Sequence, residues 1–137
     1  MLGIDTAGRS GSVALVDETQ VLASFYLRQA PPVSSHLMRL VDMVCAQAGC
    51  QINDLGGLAV SLGPGGFTSL RVGLATAQGL AMATGKPLVG CSTFEALVAM
   101  AAGWHGTVCP VLEARRGEVY AAFYCRQDTT VREIVPG

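Results

Sequence analysis

LAVSLGPGGFTSLRVGLATAQGLAMATGKP, residues Leu58 to Pro87, decides the fold. Leu58 to Leu62 is an apolar run of strand length, and Gly63-Pro64-Gly65-Gly66 ends it abruptly. From Phe67 to Thr84 the pattern is helical, and Gly85-Lys86-Pro87 stops it. A strand, a glycine-rich loop and a helix N-terminus form an arrangement that offers free amides and a positive helix end to an anion. The loop is not a P-loop. Its spacing is not GxxxxGK[ST], and Lys86 is the only lysine of the chain. Two readings of the loop stay open: a sharp turn that uses glycine at positive φ with Pro64 stiffening the corner, or a surface that meets a partner. Along the helix Gly73, Ala77, Ala81 and Gly85 recur every fourth residue, so small side chains line one face and permit close approach.

Toward the C-terminus, Leu88 to Cys91 reads as a strand. Ser92 and Glu95 have the spacing of a capping box for a third helix, which runs to about Ala102 and closes at Gly103. Toward the N-terminus, three β-forming segments precede the first helix: Leu2 to Thr6, Ser12 to Val16, and Val21 to Leu27, with tight loops between them. They predict an antiparallel meander. Pro31-Pro32 ends it, and Ser34 or Ser35 caps a helix whose apolar stripe is Leu37, Leu40, Val41, Val44 and Ala48, stopped by Gly49. The order is βββαβαβα, an α/β lobe with three antiparallel strands followed by parallel crossovers.

Beyond it, Val108 to Glu113, the turn Ala114-Arg115-Arg116-Gly117, and Val119 to Tyr124 repeat the opening motif of strand, tight loop and strand. An acid ends the first strand of each unit, Asp5 in one and Glu113 in the other. The expected division is therefore a lobe over 1-106 and the first hairpin of a second, incomplete lobe over 107-137.

Bulk composition narrows the function. The net charge of −1 is spread along the chain, so no basic stripe offers contacts to a phosphate backbone. Charged residues are only 14% and mean hydropathy is +0.43, which predicts apolar surface that meets another protein. The five cysteines form no CxxC pair and read as reduced thiols of a cytoplasmic protein. No apolar run approaches roughly 18 residues, and no basic segment precedes an apolar one at Met1, so neither a membrane span nor a secretion signal is expected.

Asp5-Thr6, at the end of the first strand, suits two roles: a carboxylate and amides presented to a metal phosphate, or an ordinary strand-ending acid in a hairpin. His36 and His105 have no second ligand at metal spacing, so no metal site is expected. Ser34, Ser35 and Thr68 have no Gly-x-Ser-x-Gly elbow or local base, which speaks against a hydrolase. Arg115 and Arg116 are a charged hairpin tip or a contact to an acidic surface.

Taken together, Leu2-Gly-Ile-Asp-Thr6, Ser12-Val-Ala-Leu15, Ser35-His36-Leu37, Gly63 to Arg71 running into Gly73-Leu-Ala-Thr-Ala77, and Ala114-Arg-Arg-Gly-Glu-Val-Tyr120 resemble the TsaB family, also called YeaZ. Two positions depart from its pattern: Ala7 where Ser is common, and Ser69 where Gly is usual. The resemblance implies the two-lobed actin, hexokinase and Hsp70-like fold, related to ribonuclease H, in longer chains than this one. It implies a non-catalytic scaffold that dimerises with TsaD, the catalyst, and is joined by the ATPase TsaE. The product is threonylcarbamoyladenosine in tRNAs reading ANN codons.

On that implication the chain needs no cofactor of its own, ATP being used by the complex, and it meets tRNA only through the complex. A homodimer is expected when TsaD is absent. The family docks through its first two helices, which makes Leu37, Val41, Gly73, Ala77 and Ala81 the candidate interface and leaves Asp5 and Thr6 as a vestigial nucleotide loop. The alternative from the same superfamily is an ATP-binding enzyme using Asp5, the first hairpin and the Gly63 loop. An older family label of glycoprotease suggests a peptidase, for which no residue constellation is present.

Overall fold

The structure is a computed structural model and describes residues 1–28, 36–114, 116–127 and 130–135. Strands β1 (Leu2–Asp5), β2 (Gly11–Val16) and β3 (Val21–Leu27) form the antiparallel meander. Then follow α1 (Leu37–Ala48), a 3-10 turn at Ile52–Asp54, β4 (Leu58–Ser61), α2 (Phe67–Thr84), β5 (Leu88–Cys91) and α3 (Thr93–Met100). The five strands make one sheet in the order β3-β2-β1-β4-β5, in which β1 pairs parallel with β4 and β4 parallel with β5. This is the expected α/β lobe of the actin-like class.

Alternation of side chains builds the core. Leu2 and Ile4 stand opposite Leu15 and Val13 on one side and Leu58 and Val60 on the other, and all six are buried on the same face of the sheet. Onto that face α1 lays Leu37, Leu40, Val41 and Val44, and α2 lays Ala77 and Leu80. The predicted caps Ser34 and Ser35 lie outside the described residues, and His36 takes the N-cap position without a side-chain hydrogen bond. At the other end Gly49, at φ 68°, closes α1 in a left-handed turn. Around α3, Ser92 Oγ accepts from Phe94 N at 3.1 Å and Glu95 Oε2 accepts from Ser92 N at 2.9 Å, the expected capping box.

The later residues form the hairpin that the sequence suggested, with each arm broken into two strands and one further strand added. They form β6 (Gly106–Val108), β7 (Val111–Glu113), β8 (Val119–Ala121), β9 (Phe123–Gln127) and β10 (Thr130–Val135). β7 pairs with β8, while β9 pairs with both β6 and β10. The two arms of the expected hairpin stay paired in one register, Val108 opposite Tyr124 and Val111 opposite Ala121, and each arm is interrupted midway. Pro110, which has no N–H to give a ladder, sits buried between β6 and β7, and buried Ala122 separates β8 from β9. A second core of Phe94, Val98, Ala122 and Tyr124 joins α3 to these strands. Arg126 Nη1 donates to Val98 O at 2.9 Å, placing a cation at the negative end of α3.

Candidate docking face and nucleotide loop

The ends of β1 and β4 are neighbours in the sheet, and this brings Asp5 and Ser61 together. Asp5 Oδ1 accepts from Ser61 Oγ at 2.7 Å and from Ala7 N at 2.9 Å. Thr6 Oγ1 donates to Ser69 O at 2.8 Å, and Gly66 N donates to Ala7 O at 2.7 Å. The loop after β1 is therefore stitched to the first turn of α2.

Two glycines make that seam possible. A Cβ at Gly65 would collide with the Ala7 carbonyl, and a Cβ at Gly73 would collide with Thr6 Oγ1. The first departure from the family pattern, Ala7, lies in the seam at 3% exposure, where a methyl leaves no hydroxyl to satisfy. The second, Ser69, joins the seam only through its carbonyl. On the far side of the Gly63 loop, Gly63 adopts φ 113°, the Gly63–Pro64 peptide is cis, and Thr93 N donates to Gly63 O at 2.8 Å.

Outside the seam an open cleft of about 1060 Å³ lies between the two hairpin turns, lined among others by Ala7, Arg9, Phe67, Glu113 and Tyr120. Arg9 Nη2 meets Glu113 Oε1 across it at 3.4 Å, with both side chains mostly in water. Arg71 stacks its guanidinium over the Phe67 ring at 5.3 Å from the centroid. Near the β5 end of the sheet the Cys91 thiol is pushed up from its ordinary value, first by burial and then by the carboxylates of Glu95 and Asp5. Among the described residues no group of three or more His, Cys, Asp or Glu could hold a metal ion, and no helix is long and apolar enough to cross a membrane.

The candidate interface residues point inward. Leu37, Val41 and Ala77 are sealed in the core, Gly73 is closed off by Thr6, and Ala81 packs half-buried against the same core. They hold α1 and α2 on the chain's own sheet, so as surface residues they are corrected. The outward face of α2 carries Ala75, Gln78, Gly79, Met82 and Ala83, with Met82 86% exposed and open space where a Gly79 Cβ would stand. Arg71 is the only charged residue in this 18-residue helix. On α1, Met38 and Met43 are exposed as well. The sequence contained this second stripe of small residues, Ala75, Gly79 and Ala83, two positions along from the one chosen.

A family model described as TsaD, tRNA N6-adenosine threonylcarbamoyltransferase, matches residues 21–136. The tRNA threonylcarbamoyladenosine biosynthesis protein TsaB of Escherichia coli K12 is 37% identical over 139 residues, which cover 96% of this chain and 57% of that protein. The solved structure of YeaZ from Pseudomonas aeruginosa superposes with a TM-score of 0.84 at 29% identity, over 96% of this chain and 62% of that one. The ethanolamine utilization protein EutJ of Carboxydothermus hydrogenoformans, at 15% identity and a TM-score of 0.50, shares the fold alone, over 99% of this chain and 52% of its own. The chain thus spans little more than half the length of the relatives it matches. With the family model, the curated relative and the solved structure in agreement, the chain belongs to the TsaB (YeaZ) family, within the wider group that the TsaD model describes.

Proposed function

We propose that this chain is a non-catalytic scaffold that docks onto TsaD in the synthesis of threonylcarbamoyladenosine in tRNAs reading ANN codons. The observation that carries the reading is the outward face of α2. An 18-residue helix with one charge, exposing Ala75, Gln78, Gly79, Met82 and Ala83 along one face, resembles one side of a helix-to-helix contact. TsaD covers this face. When TsaD is absent a second copy of the chain takes its place. TsaE joins the pair, ATP is used by the complex, and tRNA is met through it. Residues 1-106 are the docking lobe and 107-137 begin a second lobe, with α3 holding the two together through the second core.

The rival reading, an ATP-binding enzyme, needs Asp5 free to face a metal phosphate. Instead, Asp5 Oδ1 is occupied by Ser61 and Ala7, and Thr6 Oγ1 by Ser69. Mixing the chain with purified TsaD and following co-elution by size exclusion, with and without ATP, tests the proposal. Stable one-to-one co-elution without nucleotide supports the scaffold. Tight binding of magnesium ATP to the isolated chain, with no TsaD complex, would favour the rival.

A further inference from the structure

Helix α1 ends in a Schellman motif whose two hydrogen bonds are both present. Gly49 N donates to Ala46 O at 3.2 Å, and Cys50 N donates to Cys45 O at 3.1 Å. In this motif the residue after the left-handed glycine packs its side chain against the residue five positions earlier. Here both residues are cysteines. The hydrogen bond from Cys50 N to Cys45 O holds the two backbones side by side. Their side chains also interact, since the Cys50 thiol beside Cys45 adds to the burial that pushes the Cys45 thiol up. Cys45 lies 7% exposed in the core. Cys50 is half-buried and lines an open cavity of about 470 Å³ beside Val16, Leu22 and Leu55, so a small oxidant reaches it. The other three cysteines lie elsewhere: Cys91 on β5, Cys109 after β6 and Cys125 on β9.

We propose that Cys45 and Cys50 are a redox modification site, closing to an intramolecular disulfide across the C-terminal turn of α1 when a peroxide is present. Cys50 is the sulfur oxidised first. Its thiolate displaces hydroxide from hydrogen peroxide: an S–O bond forms, the O–O bond breaks, and the hydroxide takes up a proton to leave as water. The Cys45 sulfur then attacks the Cys50 sulfenic acid. The S–S bond forms, the S–O bond breaks, and the departing hydroxide leaves as water with the Cys45 proton. In sum, two thiols and one hydrogen peroxide give one disulfide and two waters, and a dithiol reductant reverses the change. Because burial keeps the Cys45 thiol protonated, the second step quickens as pH rises. The site stands independently of the docking reading, because it is a property of the isolated chain.

Mass mapping of the folded chain after stoichiometric hydrogen peroxide tests it. The tryptic fragment Leu40 to Arg71 holds Cys45 and Cys50 and no other cysteine. It should lose two alkylatable thiols and about 2 Da, the mass of two hydrogen atoms, and dithiothreitol should restore both. Cys45→Ser should leave Cys50 as a sulfenic acid that dimedone traps. A dimedone adduct at Cys50 of the wild-type chain, with Cys45 still reduced, would overturn the proposal. So would a lasting mixed disulfide at Cys50 in glutathione buffer. The wild-type map decides the matter even where the serine variant folds poorly.

Discussion

Gly73 and Thr6 share a space that admits only one more heavy atom with difficulty. Gly73→Ala should therefore cost about 1–3 kcal/mol in urea denaturation, the usual range for overpacking. Thr6→Ala removes the colliding hydroxyl, so the double variant should recover part of that loss, a coupling that two distant sites would not show. Asp17 makes a second residue-scale prediction. Its Oδ1 accepts from Thr19 N at 2.7 Å, Gln20 N at 2.9 Å and Thr19 Oγ1 at 2.9 Å. These bonds, the Thr19 amide first, hold the carboxyl below its ordinary 3.8. A carboxyl lowered in the fold contributes in full above its unfolded value, and that contribution is lost as pH falls through the lower folded value. The carboxyl carbon of Asp17, followed by NMR, should titrate at a lower pH in the folded chain than in a peptide of residues 17–20. Equal midpoints would contradict the assigned hydrogen bonds.

At the scale of elements, α2 is where packing and function meet. Gly79 stands in helical conformation with open space at its Cβ position, so Gly79→Ala should raise stability by about 0.4–1 kcal/mol in urea melts. The ends of this helix were legible because glycines mark both: Gly66 at the N-cap and Gly85, at φ 67°, past the last turn. Its inward face was not. Gly73, Ala77 and Ala81 form one small stripe and Ala75, Gly79 and Ala83 another, and periodicity ranks them equally. Only the seam with Thr6, a contact between residues far apart in sequence, decides which stripe meets the sheet. The hairpin of β6 to β9 was legible, but its breaks were not. Strands of three residues are too short to display a period of two, and the interruption at Ala122 belongs to the second core.

The whole molecule is held as two cores with α3 between them, and the ties across it differ in strength. Arg126 bonds the Val98 carbonyl in a partly buried setting, so Arg126→Ala should cost about 1–3 kcal/mol. Arg9 meets Glu113 in water, so Arg9→Ala should change stability by less than about 1 kcal/mol. Urea denaturation of both variants checks the order. A greater cost for Arg9→Ala than for Arg126→Ala would make the cleft between the hairpin turns a structural joint. The loop glycines and the strand-ending acid were visible in the sequence as a nucleotide motif. Their use as an internal clasp was not, because it rests on hydrogen bonds from Ser61 and Ser69 that no local pattern announces.

The central claim is that α2 docks through Ala75, Gly79 and Ala83 without help from nucleotide. Calorimetric titration of TsaD into the chain, wild type against Gly79→Ala and Gly79→Leu, tests it most directly. Gly79→Ala should bind at close to wild-type affinity and Gly79→Leu should lose at least about tenfold, since a leucine stands between two closely approaching helices. Wild-type affinity in Gly79→Leu, with its fold intact by circular dichroism, would contradict the account.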